Sequence, residues 1–494
     1  MFPLKKDNFF KMFKKYLLLG VILFLALTAG LGYYCYRIGY WQQKAVSVLG
    51  GYFEDKTDDG LIATDDSKAL IKELLGFGAD KYYLFLFLNN TELRPGGGFI
   101  GVYAVVKMSH GNPEILKVEG TEILDNYAPA DFVSPPPEAL ARYTGIKRLE
   151  FRDSNWWPDF ASSSQKTMEL YIKEKGLYSD KIDAIIALTP TVVEEILKIS
   201  GPITYDGIEF NADNFTEKLE YEVEYGYKDK NLKFVDRKKI ISGLGNEFIK
   251  KLALDAWKNW SKYLSVLQKM ITQKQILAYS EQQNLQDMIE QKQLDGKMKK
   301  NAGDYIMWVD ANLGALKTDA SISRELSYFL EPQPNGLYQA TVSMKYNHQG
   351  WFDWRTSRYR TYARLYVPLD SKLIGVKGSM LTDRNSLPGK VDSGIENGRQ
   401  FFGTFVAVEP ATSQTLQWQF YVSPQVAKMI KDGHYQLLVQ KQLGLVNAKL
   451  TLGLNFGKNI VSAYPGEDKN NYGDSKFDYK TKMDADLLFT VNTN

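Results

Sequence analysis

The chain has 494 residues, of which 44% are hydrophobic and 24% charged, a globular composition long enough for about three domains. A net charge of +3 argues against a nucleic-acid footprint, and a single cysteine, Cys35, excludes a disulfide framework or a cysteine-based metal site. The three histidines, His110, His348 and His434, are scattered without ligand spacing, and 31 tyrosines point to β-rich surface structure.

Residues 1–16 form a basic tail carrying Lys5, Lys6, Lys11, Lys14 and Lys15. Residues 17–36 are uncharged and, at about 20 residues, long enough to cross a bilayer as a helix. Tyr33, Tyr34 and Tyr36 lie at the far end as an interfacial belt. The positive-inside rule puts the N-terminus in the cytoplasm and the rest outside the cell membrane, as a single-pass protein. A cleaved signal peptide is the rival reading. The apolar core is longer than an h-region, and Leu27-Thr28-Ala29 lacks a small residue at the first cleavage position, so an uncleaved anchor is expected. Residues 37–80 read as a stalk and lead-in helices.

Residues 81–320 read as an α/β domain. Apolar runs at 82–88, 102–108 and 115–119 are strands in quick succession. Between the first two lies Asn89-Asn90-Thr91-Glu92-Leu93-Arg94-Pro95-Gly96-Gly97-Gly98-Phe99-Ile100-Gly101. Three consecutive glycines serve geometry: either a tight turn with Arg94 in a structural ion pair, or an anion-binding nest with the Arg94 fork beside it. A proline-rich loop spans 125–137. A second polar motif, Phe151-Arg152-Asp153-Ser154-Asn155-Trp156-Trp157-Pro158-Asp159-Phe160, precedes a helix at 161–174 that Asp159 or Ser162 would cap. A strand at 182–188, a helix at 192–199 and a strand from 201 suggest helices packed on a mixed sheet. Helices are expected at 211–225, from 236 to 257, at 260–279 and at 284–294, then a strand at 305–309 and a turn at 310–314. Residues 321–494 read as an antiparallel β-sandwich of short alternating strands. The fold class is therefore α+β: one transmembrane helix, an α/β domain and a C-terminal sandwich.

These motifs resemble a bacterial envelope family of unassigned function that shares N-N-x-E-L-R-P-x-G-G-F-I-G, D-x-N-W-x-P-D-F and D-A-N-L-G, here at 89–101, 153–160 and 310–314. The stretches 359–368 and 437–442 resemble it too. More distantly, the order of anchor, strand, helix and Gly201-Pro202-Ile203-Thr204 is similar to LytR-CpsA-Psr proteins. Those are membrane-anchored phosphotransferases that move glycopolymers from a polyprenyl-pyrophosphate carrier to the cell wall, using arginines, an aspartate and magnesium. The resemblance implies that Arg94 and Arg237 stand where arginines of that family hold the pyrophosphate. Its paired arginines have no counterpart in the acidic stretch 219–224, and Asp125 only loosely replaces the aspartate of its S-I-P-R-D motif.

Two functions from different classes follow. In the first, a glycopolymer or lipid-carrier protein binds or transfers a polyprenyl-phosphate-linked glycan. Arg94, Gly96, Gly97, Gly98, Arg152, Asn155, Trp156 and Arg237 would bind the ligand, and Asp153 or Asp159 would bind magnesium or act as base. In the second, the α/β part is scaffold and the sandwich binds a partner or cell-wall polymer without catalysis. A hydrolase using Asp153 and Asp159 as a carboxylate pair is a weaker third. No G-x-S-x-G, Cys–His, Walker or dinucleotide motif is present.

Overall fold

Strand β1 (Lys81–Asn89) is an unbroken apolar run, and its alternate side chains fill two separate cores, Tyr83 and Phe85 on one face, Leu84, Leu86 and Leu88 on the other. The computed structural model describes residues 73–494 apart from 235, 236 and 472. The basic tail, the apolar segment 17–36 and most of the lead-in therefore lie outside the described residues. Among those described, no helix is long and apolar enough to cross a membrane.

β1 pairs antiparallel with β2 (Phe99–Ser109), which pairs with β3 (Asn112–Gly120). Three helices follow, α1 (Thr121–Asn126), α2 (Glu138–Thr144) and α3 (Phe160–Lys173). β4 (Ala184–Leu188) returns parallel to β1, so the sheet is mixed as expected. Pro190 opens α4 (Pro190–Ser200) at a position where a missing N–H costs nothing. A small hairpin, β5 (Ile203–Tyr205) and β6 (Ile208–Phe210), leads to α5 (Phe215–Tyr221) and a π-helical turn, Glu222–Gly226. The long α6 (Lys239–Thr272) bends at Asn259. β7 (Ile276–Tyr279) then closes the sheet against β4, giving the order β3-β2-β1-β4-β7, and α7 (Gln283–Gln291) follows. Helices α4 to α7 cover the Phe85 face. Helices α1 to α3 and part of the sandwich, including Ala311, Tyr362 and Leu443, cover the Leu86 face.

The sequence expectation of a helix over 260–279 is corrected here: helix ends at Thr272, and Lys274, with φ of 56°, turns the chain into a strand. All four residues of β7 are buried, and so short an apolar run has no periodicity to separate strand from helix.

The sandwich starts earlier than residue 321. β8 (Asp304–Asn312) is buried along its whole length and lies mid-sheet, so Asp310 and Asn312 are strand residues and not part of a turn. The remaining strands are β9 (Ile322–Pro332), β10 (Tyr338–His348), β11 (Tyr359–Val367), β12 (Lys372–Lys377), β13 (Asp392–Glu396), β14 (Arg399–Val408), β15 (Ser413–Tyr421), β16 (His434–Gln440), β17 (Ala448–Asn455), β18 (Ile460–Tyr464), β19 (Lys476–Lys482) and β20 (Leu487–Thr493). One helix, α8 (Pro424–Lys431), lies between β15 and β16. A six-stranded sheet, β12-β15-β10-β9-β17-β19, faces a seven-stranded one, β13-β14-β11-β8-β16-β20-β18, across a shared apolar core. The expectation of a purely antiparallel sandwich is also corrected: β8 with β16 and β9 with β17 run parallel, because the chain crosses between sheets before returning.

Candidate functional site

The polar motifs converge, but on one another. The N–H of Gly96 donates to the Asn155 carbonyl at 2.9 Å, and Asn155 Nδ2 donates to the Gly98 carbonyl at 2.6 Å. A Cβ on Gly98, whose φ is +155°, would lie 2.6 Å from the backbone of Asn89. One on Gly444 would lie 1.9 Å from the carbonyl oxygen of Gly97. The glycines thus let three backbones touch. Arg94 is buried. It donates to the Asn312 carbonyl, meets Glu92 at 3.3 Å and Asp153 at 3.5 Å, and lies over the Phe99 ring at 5.3 Å. Gln442 Nε2 donates to the carbonyls of Arg94 and Asp310, and the Asn312 N–H donates to the Leu93 carbonyl. The stretches 89–101, 151–160, 310–314 and 440–444 together form the joint between the five-stranded sheet and the sandwich.

The remaining expected site residues have structural tasks in the same region. Asp159 accepts from the Ser162 N–H at 2.8 Å as the cap of α3, and its other oxygen accepts from the Met298 N–H at 2.9 Å. Trp156 is buried against Tyr362, with the Arg364 guanidinium 5.1 Å from its ring. A magnesium ion does not fit here: both Asp159 oxygens already accept N–H bonds, Asp153 faces Arg94, and no group of three acidic, histidine or cysteine side chains among the described residues is gathered as a metal site requires.

Of the expected residues, Arg152 and Arg237 line a cavity among the described residues. It has a volume of about 310 Å³ and lies between the Phe85 face of the sheet and helices α4, α5 and α6. The sheet contributes Phe87, Val102, Ala104 and Val118, and the helices contribute Val193, Leu219, Val223 and Phe248. The small residues Ala104, Ser242 and Gly245 leave the space open. Its charged lining comprises four basic residues, Arg152, Arg237, Lys238 and Lys317, and four glutamates, Glu92, Glu122, Glu220 and Glu224. Arg237 reaches both Glu122 and Glu224 at 3.0 Å, and Lys317 meets Glu224 at 3.3 Å. Lys238 meets Glu122 at 2.5 Å and donates to the Gly101 carbonyl at 2.7 Å. Burial holds the Lys238 amine below its usual range, with Glu122 opposing. Burial pushes the Glu92 carboxyl up, against Arg94 and Lys317.

Behind Arg152, Asp125 meets Nε at 2.5 Å and Glu150 meets Nη2 at 3.0 Å. Burial raises the Asp125 carboxyl to about 8; Arg152 opposes the shift and neighbouring Glu174 adds to it. A separate buried cluster, Lys274, Lys441 and Asp486, crosses the joint, with Lys274 2.6 Å from Asp486. Sequence reasoning missed the cavity because its walls are ordinary apolar positions on separate elements. The available signal was the lysine and arginine run 237–239 opening an otherwise apolar helix face.

The architecture is that of a two-part α+β protein with an apolar, charge-rimmed cavity. Residues 79–224 match the family described as a protein of unknown function, DUF4012. No curated protein matches. Among solved structures, a Legionella pneumophila protein described as nutrient-binding is 7% identical with a TM-score of 0.25, over 39% of this chain and 71% of its own. An M1 zinc metallopeptidase from Deinococcus radiodurans is 9% identical with a TM-score of 0.17, over 38% of this chain and 42% of its own. Likenesses at those scores say nothing of this chain's fold or activity.

Proposed function

We propose that the chain is a membrane-anchored, extracytoplasmic envelope protein that binds an anionic lipid carrier of the polyprenyl-phosphate class. The observation that carries this reading is the cavity of about 310 Å³, apolar within and carrying Arg152, Arg237, Lys238 and Lys317 in its lining. Cavities of that size bind small ligands through apolar walls and a few placed polar groups. A section of a long apolar chain fits the interior. The phosphate would exchange into the rim ion pairs, taking charge-assisted hydrogen bonds from Arg237 and Lys238. The arginine on the α6 side supports the likeness to LytR-CpsA-Psr proteins, with 17–36 as the anchor.

The reading is of binding, not transfer. Asp153 and Asp159, the carboxylates that would act as base, serve the joint and a helix cap. The same convergence favours the scaffold alternative, in which the α/β part is structural and the sandwich binds a partner or cell-wall polymer.

The test is equilibrium binding of a fluorescent long-chain polyprenyl phosphate to the full chain in detergent. Ser242→Leu and Ala104→Leu, which fill the cavity, should abolish binding. Arg237→Ala should weaken it roughly tenfold or more, the cost of a lost charged hydrogen bond. Unchanged binding in the filled variants would sink the proposal.

A further inference from the structure

Around the cavity mouth lies a set of exposed aromatic side chains that no core requires. Glu224 and Arg152 are the least buried of the rim ion-pair groups, so the cavity opens near them. Glu224 stands on the π-helical turn between Tyr221 and Tyr225, both exposed. The β10–β11 loop of the sandwich reaches over to this turn. Trp354 packs edge-on against Tyr221 at 5.4 Å and Tyr225 at 5.7 Å, and Arg355 meets Glu220, itself a cavity residue, at 2.6 Å. At the loop tip Trp351 and Phe352 are 71% and 63% exposed. On the other side of the turn Phe234 is 55% exposed, beneath the Arg237 guanidinium at 4.2 Å.

Between residues 228 and 239 stand six lysines and arginines against two aspartates; Arg237, Lys238 and Lys230 are paired with Glu122, Glu224, Glu222 and Asp206, and Lys228 and Lys233 lie outside those pairs. Lys228 lies over Tyr225 and Tyr227 at 5.2 and 5.8 Å. Two features separate a bilayer from a sugar polymer as the occupant. Phe234 and Phe352 have no polar handle with which to fix a sugar. Exposed aromatics set among lysines are the composition of surfaces that dip into an anionic lipid interface. The 36 residues from 37 to 72 span at most roughly 120 Å at full extension, so a tether from 17–36 lets this end of the molecule face the bilayer.

We propose that Trp351, Phe352, Phe234 and the lysines beside them dock the cavity mouth onto an anionic membrane leaflet, so that a lipid enters the cavity without crossing water. This rests on the lipid-binding reading above, and the experiment separates the two.

The full-length protein carrying Cys35→Ser is given one new cysteine, at Phe352 or at Asn335, labelled with an environment-sensitive dye. Asn335 is exposed at the opposite end of β10, roughly 35 Å away along the strand. The protein is reconstituted into phosphatidylcholine vesicles with and without phosphatidylglycerol, and quenching by nitroxide-labelled lipid is read. Quenching should be strong at 352 and weak at 335, and should require phosphatidylglycerol. Each of Lys228→Glu and Lys233→Glu should lower the docked-to-undocked ratio roughly fivefold or more, the factor one basic residue supplies near an anionic leaflet. Equal quenching at both positions overturns the inference. So does a dye at 352 that responds to a soluble anionic polysaccharide and not to vesicles. Docking that survives Ser242→Leu while polyprenyl-phosphate binding never appears in any form of the protein sinks the cavity reading alone. Binding in detergent without quenching at 352 sinks the docking alone.

Discussion

Arg94 and Asp153 face each other at 3.5 Å in the seam between the five-stranded sheet and the sandwich, and neither borders the cavity. The pair that most resembles an anion-binding arginine and its catalytic carboxylate is thus a strut. Removing one partner of a buried pair leaves the other charge uncompensated, which costs about 3–5 kcal/mol. Arg94→Ala should lower stability by that order, seen as a lower denaturant midpoint, while folded protein binds polyprenyl phosphate with unchanged affinity. Weaker binding by folded protein would return Arg94 to the ligand site.

Gly98→Ala should be costly for a different reason. The added carbon meets the Asn89 backbone, which cannot move without breaking β1 from β2. Overpacking of this kind costs about 1–3 kcal/mol, and the positive φ adds strain. Calorimetry should show a lower Tm with no change in lipid affinity.

Lys441 sets one part of the pH dependence. Burial, with Lys274 adding to it and Asp486 opposing, lowers its amine from 10.5 to about 7. A depressed amine stabilises the fold fully above 10.5 and loses that contribution as pH falls toward 7. The parent should therefore gain stability between pH 7 and 10.5, and Lys441→Met should lack that gain. Urea melts across this window decide it, and parallel curves would refute the assignment.

Asp125 acts with the opposite sign. Its carboxyl is raised from 3.8 to about 8, so its contribution is complete below 3.8 and disappears as pH climbs through 8. Asp125→Asn should flatten the fall in stability between those limits. A fall of the same size in the variant would assign it to another group.

Ser242→Leu and Ala104→Leu should raise Tm while abolishing lipid binding, because filling an apolar void restores lost contacts. A lower Tm in both would mean that the walls close in solution.

Much of the fold was legible. The runs that became β1 to β4 announce themselves as unbroken apolar stretches, and Asp159 and Pro190 mark helix starts by their chemistry. β7 was lost because four apolar residues have no period, and β8 was misplaced because a strand buried on both faces gives no sign of which sheet holds it. Of the cavity, only Arg152 and Arg237 were legible. Dense polar motifs drew attention to 89–101 and 151–160, where buried backbones need Asn155, Arg94 and Gln442 as partners; a buried polar joint and a binding site have the same composition. The cavity, made of Val193, Ala104 and Phe248, has no composition of its own.

The span shared with the unknown-function family ends at residue 224, before α6 and β7. A domain cut there would leave Ala184–Leu188, buried along its length, as an open edge inviting a second chain to pair with it. It would also lose Arg237 and Lys238 and the helix that supplies Ser242 and Phe248. The matched span supplies the sheet, α4 and α5 sides of the cavity, and the residues beyond it supply the α6 side.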